Sequence, residues 1–236
     1  MSDGQGVCVI TGAGDGTGAS VARRFAAGGY AVAMLARTED RLRKLEAEIT
    51  GSRGYVCDVG DLGHLTATLA SVKQDLGAPT VAVHNAVMAD FKTVLDADPA
   101  KFEKIFRVNT TALMVLAQAV VPDMLAAGHG AIIVTGNTSA WRGKPRFTMF
   151  APTKAAQRIL AQAMARDLGP QGIHVGYVTI DAAIDTPWTR PIMRADMPDD
   201  FFCKPSAIAD EIWHLAHQDR SAWSFDVEIR PFGEDW

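Results

Sequence analysis

The chain has 236 residues, of which 48% are hydrophobic and 21% charged, and its formal net charge is -4. This composition is ordinary for a soluble globular protein, and the length allows one α/β domain to bury a large core. The acidic balance argues against nucleic acid or an anionic membrane as the main partner, and three cysteines without paired spacing predict neither a disulfide framework nor a zinc site.

Apolar runs of strand length alternate with longer segments of helical period, a pattern typical of βαβ units on a parallel sheet. In chain order, strands are predicted at 6–10, 31–36, 55–58, 80–84, 131–135, 173–180 and 225–230. Helices are predicted between them at 17–27, 39–50, 62–76, from 99 towards a kink at Pro122, at 147–168 and at 206–217. The pattern indicates one α/β domain over 1–236, a Rossmann-type doubly wound parallel sheet in three layers.

The segment 181–205 differs from the rest of the chain. It combines four prolines with charged residues and bulky apolar ones such as Trp188 and Phe201. Because long connections of this kind often cover active sites, we interpret it as a substrate lid.

A glycine cluster, Thr11-Gly-Ala-Gly-Asp-Gly-Thr-Gly18, lies directly between the first strand and the first helix. Glycine permits a tight turn there and lets peptide N–H groups and the helix N-terminus approach a pyrophosphate. A merely flexible turn would not require glycine at 12, 14, 16 and 18 together. The cluster therefore predicts a dinucleotide site.

The end of the second strand indicates which dinucleotide is bound. An acid there would bind the ribose 2′-hydroxyl of NAD, whereas an arginine suits the 2′-phosphate of NADP. The strand ends in Arg37, which favours NADP, although Asp15 within the glycine cluster and Glu39 add carboxylates nearby.

Several motifs occur in the order and spacing of one family. They are Thr11-Gly12-x-x-x-Gly16-x-Gly18, Cys57-Asp58-Val59, His84-Asn85-Ala86, Val108-Asn109 and Lys154. On these motifs the chain resembles the short-chain dehydrogenase/reductase family over essentially its whole length.

The resemblance implies a role for each matching position. The pyrophosphate would be bound by Gly12, Gly16 and Gly18 with the backbone of Asp15 and Thr17; the adenosine half would lie by Asp58, Val59, Asn85 and Ala86. Asn109 would hold a water against Lys154, Lys154 would bind the nicotinamide ribose, and Thr186 would contact the carboxamide. No metal is expected.

The chain departs from the family pattern where the chemistry occurs. The family acid is a tyrosine four residues before the lysine, and Phe150 occupies that position; Asn137 occupies the position of the usual serine. Val87 and Ile180-Asp181 also differ, from glycine and from proline-glycine. A phenyl ring cannot protonate the alkoxide that hydride transfer creates, and general acid catalysis contributes roughly 10²–10⁴-fold.

Few side chains could take over the missing role. Thr138 or Ser139 could hydrogen-bond a substrate oxygen, and Asp181 or Asp185 could donate a proton if burial raised its pKa. His84 has a suitable intrinsic pKa but lies on the adenosine side by family position, where we expect it to contact the coenzyme. The nearby aromatic residues suggest an apolar ligand, with ordinary core packing as the alternative.

The sequence is compatible with two functions, and also with a third possibility, a relic of the fold that binds no ligand. The first is a short-chain NADP(H)-dependent oxidoreductase with an altered acid, acting on a small, apolar carbonyl or alcohol. The second is a catalytically silent NADP(H)-binding sensor or partner subunit. We expect a cytoplasmic protein, because the N-terminus lacks a signal-peptide pattern and polar residues interrupt the apolar stretch 110–127. The long helices 99–126 and 147–168 resemble those through which family members pair, which implies a homodimer or homotetramer.

Overall fold

Seven parallel strands form the central sheet of the protein, for which a computed structural model describes residues 6–193 and 196–233. The strands are β1 (Val7–Thr11), β2 (Ala31–Ala36), β3 (Ser52–Val56), β4 (Pro79–His84), β5 (Gly130–Gly136), β6 (Ile173–Ile180), the short β7 (Ala183–Ile184) and β8 (Phe202–Cys203), and β9 (Asp226–Ile229). The main sheet has the order β3-β2-β1-β4-β5-β6-β9, and β7 pairs with β8 in a separate small sheet.

The helices are α1 (Thr17–Ala27), α2 (Glu39–Glu48), α3 (Leu62–Leu76), α4 (Pro99–Phe106), α5 (Ala112–Ala127), α6 (Phe150–Leu168), α7 (Thr189–Met193) and α8 (Pro205–Ala216). Apolar side chains of α1, α2 and α8 cover one face of the sheet, and those of α3, α5 and α6 cover the other. The predicted three-layer, doubly wound parallel fold is therefore confirmed.

Three predicted element boundaries were wrong. The third strand begins at Ser52 and ends before Cys57, because Asp58 leaves the sheet and accepts a hydrogen bond of 2.9 Å from the Gly60 amide. The sixth helix begins at Phe150 rather than at 147, since Phe147 is held in an isolated bridge with Lys92. These local interactions outweigh the apolar pattern from which the boundaries were read.

The long helical stretch 99–127 is not continuous α-helix. A π-helical turn, Arg107–Thr111, separates α4 from α5, whereas α5 continues through the predicted kink residue Pro122 to Ala127. By length and composition alone, 99–127 is the single stretch among the described residues that could cross a membrane. Here it is a core helix, because Leu113, Leu116 and neighbouring side chains are buried against the sheet.

Candidate active site

A large cavity lies at the carboxyl ends of the strands, where β1 and β4 are neighbours and the winding of the sheet reverses. Ligands of open α/β sheets bind at this position. The cavity has a volume of about 1140 Å³. Its walls are the glycine cluster, the residues that follow β2, β3 and β4, and the segment 182–189.

The glycine cluster is closely packed and cannot accept side chains at two of its positions. Gly12 has a φ of 75°, and a Cβ there would lie 2.6 Å from the Ala86 Cα. A Cβ at Gly18 would lie 2.7 Å from the Ala13 Cα and nearer still to the Gly12 carbonyl oxygen. The Asn85 side chain fixes the turn by donating a 2.8 Å hydrogen bond to that oxygen.

The same cluster leaves a helix N-terminus open to the cavity. None of the described side chains caps α1, and Gly16, Thr17 and Gly18 line the cavity wall. The free N–H groups of a first turn and the positive end of the helix dipole together favour an anion. This end of the cavity can therefore hold a phosphate group.

Basic residues surround the cavity where β2 ends. Arg37 is exposed and lines the cavity together with Thr38 and Arg41. Arg41 Nε lies 2.8 Å from the Asp15 carboxylate. Sequence reasoning identified Arg37 and Asp15 but missed Arg41. This residue was detectable as a cation in the first turn of the helix that follows the second strand.

The remaining residues predicted around the adenosine half also line this cavity, namely Asp58, Val59, Asn85 and Ala86. Thr186 also lines the cavity, and its hydroxyl is 2.6 Å from that of Thr189. Thr186 and Trp188 lie directly against Gly16, since a Cβ on that glycine would be 3.0 Å from the Thr186 Cγ2.

Lys154 is buried within a hydrogen-bonded network. Its ammonium group donates to the Thr135 carbonyl oxygen at 3.0 Å and to the Gln157 side-chain oxygen. Burial lowers the pKa of Lys154 to about 7. The group can therefore change its charge near neutral pH.

Gln157 connects Lys154 to Asn109, a link that the family resemblance assigns to a water. The Gln157 amide donates a 2.7 Å hydrogen bond to the Asn109 main-chain oxygen while its own oxygen accepts from Lys154. The Asn109 side chain is engaged elsewhere, with the Met88 backbone and the Thr153 hydroxyl. Sequence reasoning missed Gln157, although its position three residues after Lys154 puts both on one helix face.

His84 lies beneath this network and not on the cavity wall where the sequence analysis placed it. It is fully buried at the end of β4, and its Nδ1 lies 3.0 Å from the Thr11 hydroxyl. Burial, and secondarily the neighbouring Lys154, lower the pKa of His84 to about 3. A neutral imidazole enclosed in this way is not a proton donor.

Phe150 lies in an aromatic cluster at the position of the family acid. It is only 5% exposed, and its ring centroid is 5.6 Å from that of Phe91 and 6.1 Å from that of Phe147. Tyr177 offers no substitute phenol, because it is fully buried against Gly136 and burial raises its pKa above the usual range.

Several polar groups near Phe150 already form hydrogen bonds within the protein. The Thr138 hydroxyl donates to the Asp181 carboxylate at 2.9 Å, and Ser139 is buried. The Arg190 guanidinium donates to both carboxylate oxygens of Asp185 and holds the pKa of that carboxyl below its usual range. Asp185 therefore does not replace the missing general acid. The Asn137 side-chain oxygen accepts a hydrogen bond from the Ser139 amide at 3.0 Å. The N–H₂ group of the same side chain has no hydrogen-bond partner among the described residues.

Known proteins resemble this chain along most of its length. Residues 6–196 match the model of the short chain dehydrogenase family. The short-chain reductase protein NovJ of Streptomyces niveus is 33% identical over 178 residues, which are 74% of this chain and 68% of that protein.

Solved structures show the same likeness. A short-chain dehydrogenase from Rhodopseudomonas palustris superposes with a TM-score of 0.81 at 32% identity, covering 96% of this chain and 99% of that one. A metagenomic short-chain oxidoreductase in complex with NADP superposes with a TM-score of 0.83 at 26% identity, covering 95% of this chain and 96% of that one. The chain belongs to the short-chain dehydrogenase family.

Proposed function

We propose that the protein is a cytoplasmic NADP(H)-dependent oxidoreductase that interconverts a small, apolar carbonyl compound and its alcohol at a low rate. The observation that carries the proposal is the N-terminus of α1, which has no side-chain cap among the described residues and faces a cavity of about 1140 Å³. The turn before it contains glycines at which a side chain would clash with the backbone. Family membership supports the class of reaction, and the NADP complex of the metagenomic relative supports the coenzyme.

The residues of the cavity wall fit a dinucleotide together with the buried Lys154, which is not itself part of that wall. The pyrophosphate would be held by Gly12, Gly16 and Gly18 with the backbone of Asp15 and Thr17; the adenosine half by Asp58, Val59, Asn85 and Ala86; and the nicotinamide half by Lys154 and Thr186. The fit rests on the tight turn that Gly12 and Gly18 permit and on the basic residues Arg37 and Arg41 at one end of the cavity. When bound, NADPH would supply the hydride, and one proton from water would complete the reduction of the carbonyl to the alcohol.

The chain's own groups would orient and polarise the substrate but donate protons poorly. The Asn137 N–H₂ group is available to hydrogen-bond a developing oxyanion, a type of contact that contributes about 10²–10³-fold. Thr138 and Ser139 are the hydroxyl groups next to Asn137 in the chain, and Asn109 is linked to Lys154 through Gln157. Phe150 leaves the proton to solvent, which is why we expect slow turnover.

The test of this function is a titration with NADPH and NADH followed by a turnover screen. Micromolar binding of NADPH and measurable reduction of an aldehyde, ketone or enone at high enzyme concentration are expected. Binding without turnover across the panel would instead support a silent sensor or partner subunit. No binding of either coenzyme would exclude both functions.

Arg37 should determine the preference between the two coenzymes. Arg37→Ala is expected to weaken NADPH binding roughly 10- to 100-fold, because a hydrogen bond to a charged group contributes about 1.5–3 kcal/mol, and to leave NADH binding nearly unchanged. Fluorescence titration measures both. Arg43→Ala is the matched control, since Arg43 lies on α2 but pairs with Glu39 and Glu46 outside the cavity. An equal loss for both coenzymes would contradict the role of Arg37.

Lys154 should take up a proton when the coenzyme binds. Its pKa is lowered to about 7 by burial, so at pH 8 most of it is neutral, and the anionic coenzyme favours the charged form. We expect an uptake of roughly 0.5–0.9 proton at pH 8, and coenzyme affinity that falls as pH rises above about 7. Calorimetry in HEPES and Tris buffers measures the uptake.

Two variants isolate the source of that proton. Lys154→Met should abolish the uptake, and Gln157→Glu should reduce it, because a carboxylate beside Lys154 would keep it protonated before the coenzyme arrives. Undiminished uptake in Lys154→Met would assign the proton to another group.

The proposal includes one domain over 1–236, a substrate lid at 181–205 and a homodimer or homotetramer. Within the lid, the described residues form β7, α7 and β8, while residues 194 and 195 lie outside the described part of the chain.

Exposed apolar side chains on α5 and α6, Met114 and Ile159, support pairing of two copies through those helices. Light scattering with Ile159→Glu tests the assembly.

A further inference from the structure

A basic and aromatic surface adjoins the position of the missing acid. We call it the basic–aromatic patch, and it consists of Phe91, Lys92, Arg142, Lys144, Arg146 and Phe147. The Phe91 and Phe147 ring centroids are 4.8 Å apart, and Lys92 is bridged to Phe147 through the backbone. Arg146 donates a 3.5 Å hydrogen bond to the Phe91 carbonyl oxygen. These contacts bring two separate segments of the chain together on one surface.

The four cations of the patch are not neutralised. Within residues 6–193 and 196–233, none of the four forms an ion pair with a carboxylate. Asp90, with which Lys92 interacts electrostatically, forms its ion pair with Lys101 at 2.5 Å. A local excess of positive charge in a chain of net charge -4 attracts anions to this surface.

The patch also has a concave, partly apolar floor. A cavity of about 420 Å³ is lined by Trp141, Arg142, Lys144, Phe147 and the start of α6. Ser139, which follows the Asn137 position, lines it as well. The patch is therefore continuous with the polar groups that would contact a reacting carbonyl.

Phe150 connects the patch to the reaction centre. Its ring contacts both Phe91 and Phe147, and it lies one helical turn before Lys154. A substrate with its carbonyl group near Asn137 and Lys154 would place an aromatic body against these rings. Its far end would then lie among the cations.

From this arrangement we infer that the substrate is an aromatic carbonyl compound that carries an anionic group, such as a carboxylate. The inference rests on the reaction and coenzyme of the proposed function, and it replaces the small, apolar substrate of that proposal with an aromatic, anionic one. Aromatic rings stack on the phenylalanines, and the anion is recognised by arginine and lysine donors. The hydride and proton transfers are those of the proposed reaction.

The test compares 4-acetylbenzoate with its neutral methyl ester in the same enzyme. We expect kcat/KM with NADPH to be about tenfold or more higher for the acid, a difference of about 1.4 kcal/mol. The advantage should shrink as salt is raised, because exposed charges are screened. Saturation-transfer NMR on protein loaded with NADP⁺ gives the same comparison as binding, independent of turnover.

The double variant Arg142→Gln/Lys144→Gln should bring the acid down to the level of the ester. Arg166→Glu is the matched control, since Arg166 is exposed near the other end of α6, and it should keep the preference. Unchanged NADPH affinity verifies that the variants are folded. Equal binding of acid and ester by the wild type would overturn the inference while leaving the proposed function intact. Failure to bind NADPH at all would defeat the proposed function itself.

Discussion

Phe150→Tyr is expected to raise the rate of carbonyl reduction by roughly 10²- to 10⁴-fold, the usual contribution of a positioned general acid. The new phenol would lie one helical turn before Lys154, on the same face of α6. The Lys154 ammonium would lower the pKa of that phenol by favouring its charged form. Single-turnover measurement of NADPH oxidation, with the substrate that gives the best wild-type rate, determines the gain.

Controls separate proton donation from a general change in the pocket. Phe147→Tyr adds a phenol to the same aromatic cluster, 6.1 Å from the Phe150 ring, but not at the acid position, and should give no comparable gain. Adding Lys154→Met to Phe150→Tyr should remove most of the gain. If the wild type already turns over fast and Phe150→Tyr slows it, another group donates the proton and our account of the site is wrong.

Gly18→Ala is expected to lower NADPH affinity at least 100-fold and to destabilise the fold. The added methyl would lie 2.7 Å from the Ala13 Cα and nearer to the Gly12 carbonyl oxygen, and backbone atoms cannot move aside as a side chain can. Forcing an extra methyl group into a packed region costs about 1–3 kcal/mol, so the thermal midpoint should fall by several degrees. Calorimetry and a thermal melt measure the two effects.

Gly14→Ala in the same turn is the matched control. A Cβ there meets only the Arg41 side chain at 3.7 Å, an ordinary van der Waals distance. We expect affinity within a few-fold of the wild type, since an ordinary contact requires no rearrangement. Equal losses for the two variants would show that glycine flexibility, and not the close approach of the backbone, governs binding.

The sheet was predictable because its signals are local. Most buried strands are mainly apolar runs, and the glycine cluster follows the first strand directly, so pattern and spacing together indicate the winding and the position of the cavity. The third strand was misplaced because Ser52 and Arg53 are polar. Their pairing opposite Val32 and Ala33 depends on the register of the neighbouring strand, which the local pattern does not encode.

The finer organisation of the candidate site depends on packing between distant segments. Gln157 meets Asn109 across 48 positions of sequence, through the π-helical turn 107–111, and no local pattern indicates such a contact. Likewise, Phe91 and Arg146 are brought together only when the chain after β4 lies against the segment before α6. The sequence shows the type of each residue, but it does not show which distant residue that side chain contacts.

The contact between Trp188 and the glycine cluster has a consequence for how ligand binding can be followed. The indole lies 3.5 Å from where a Gly16 side chain would begin, beside the turn that would bind a pyrophosphate. A phosphate group bound in that turn would change the surroundings of the ring. The fluorescence of Trp188 is therefore expected to follow coenzyme binding as an intrinsic optical signal.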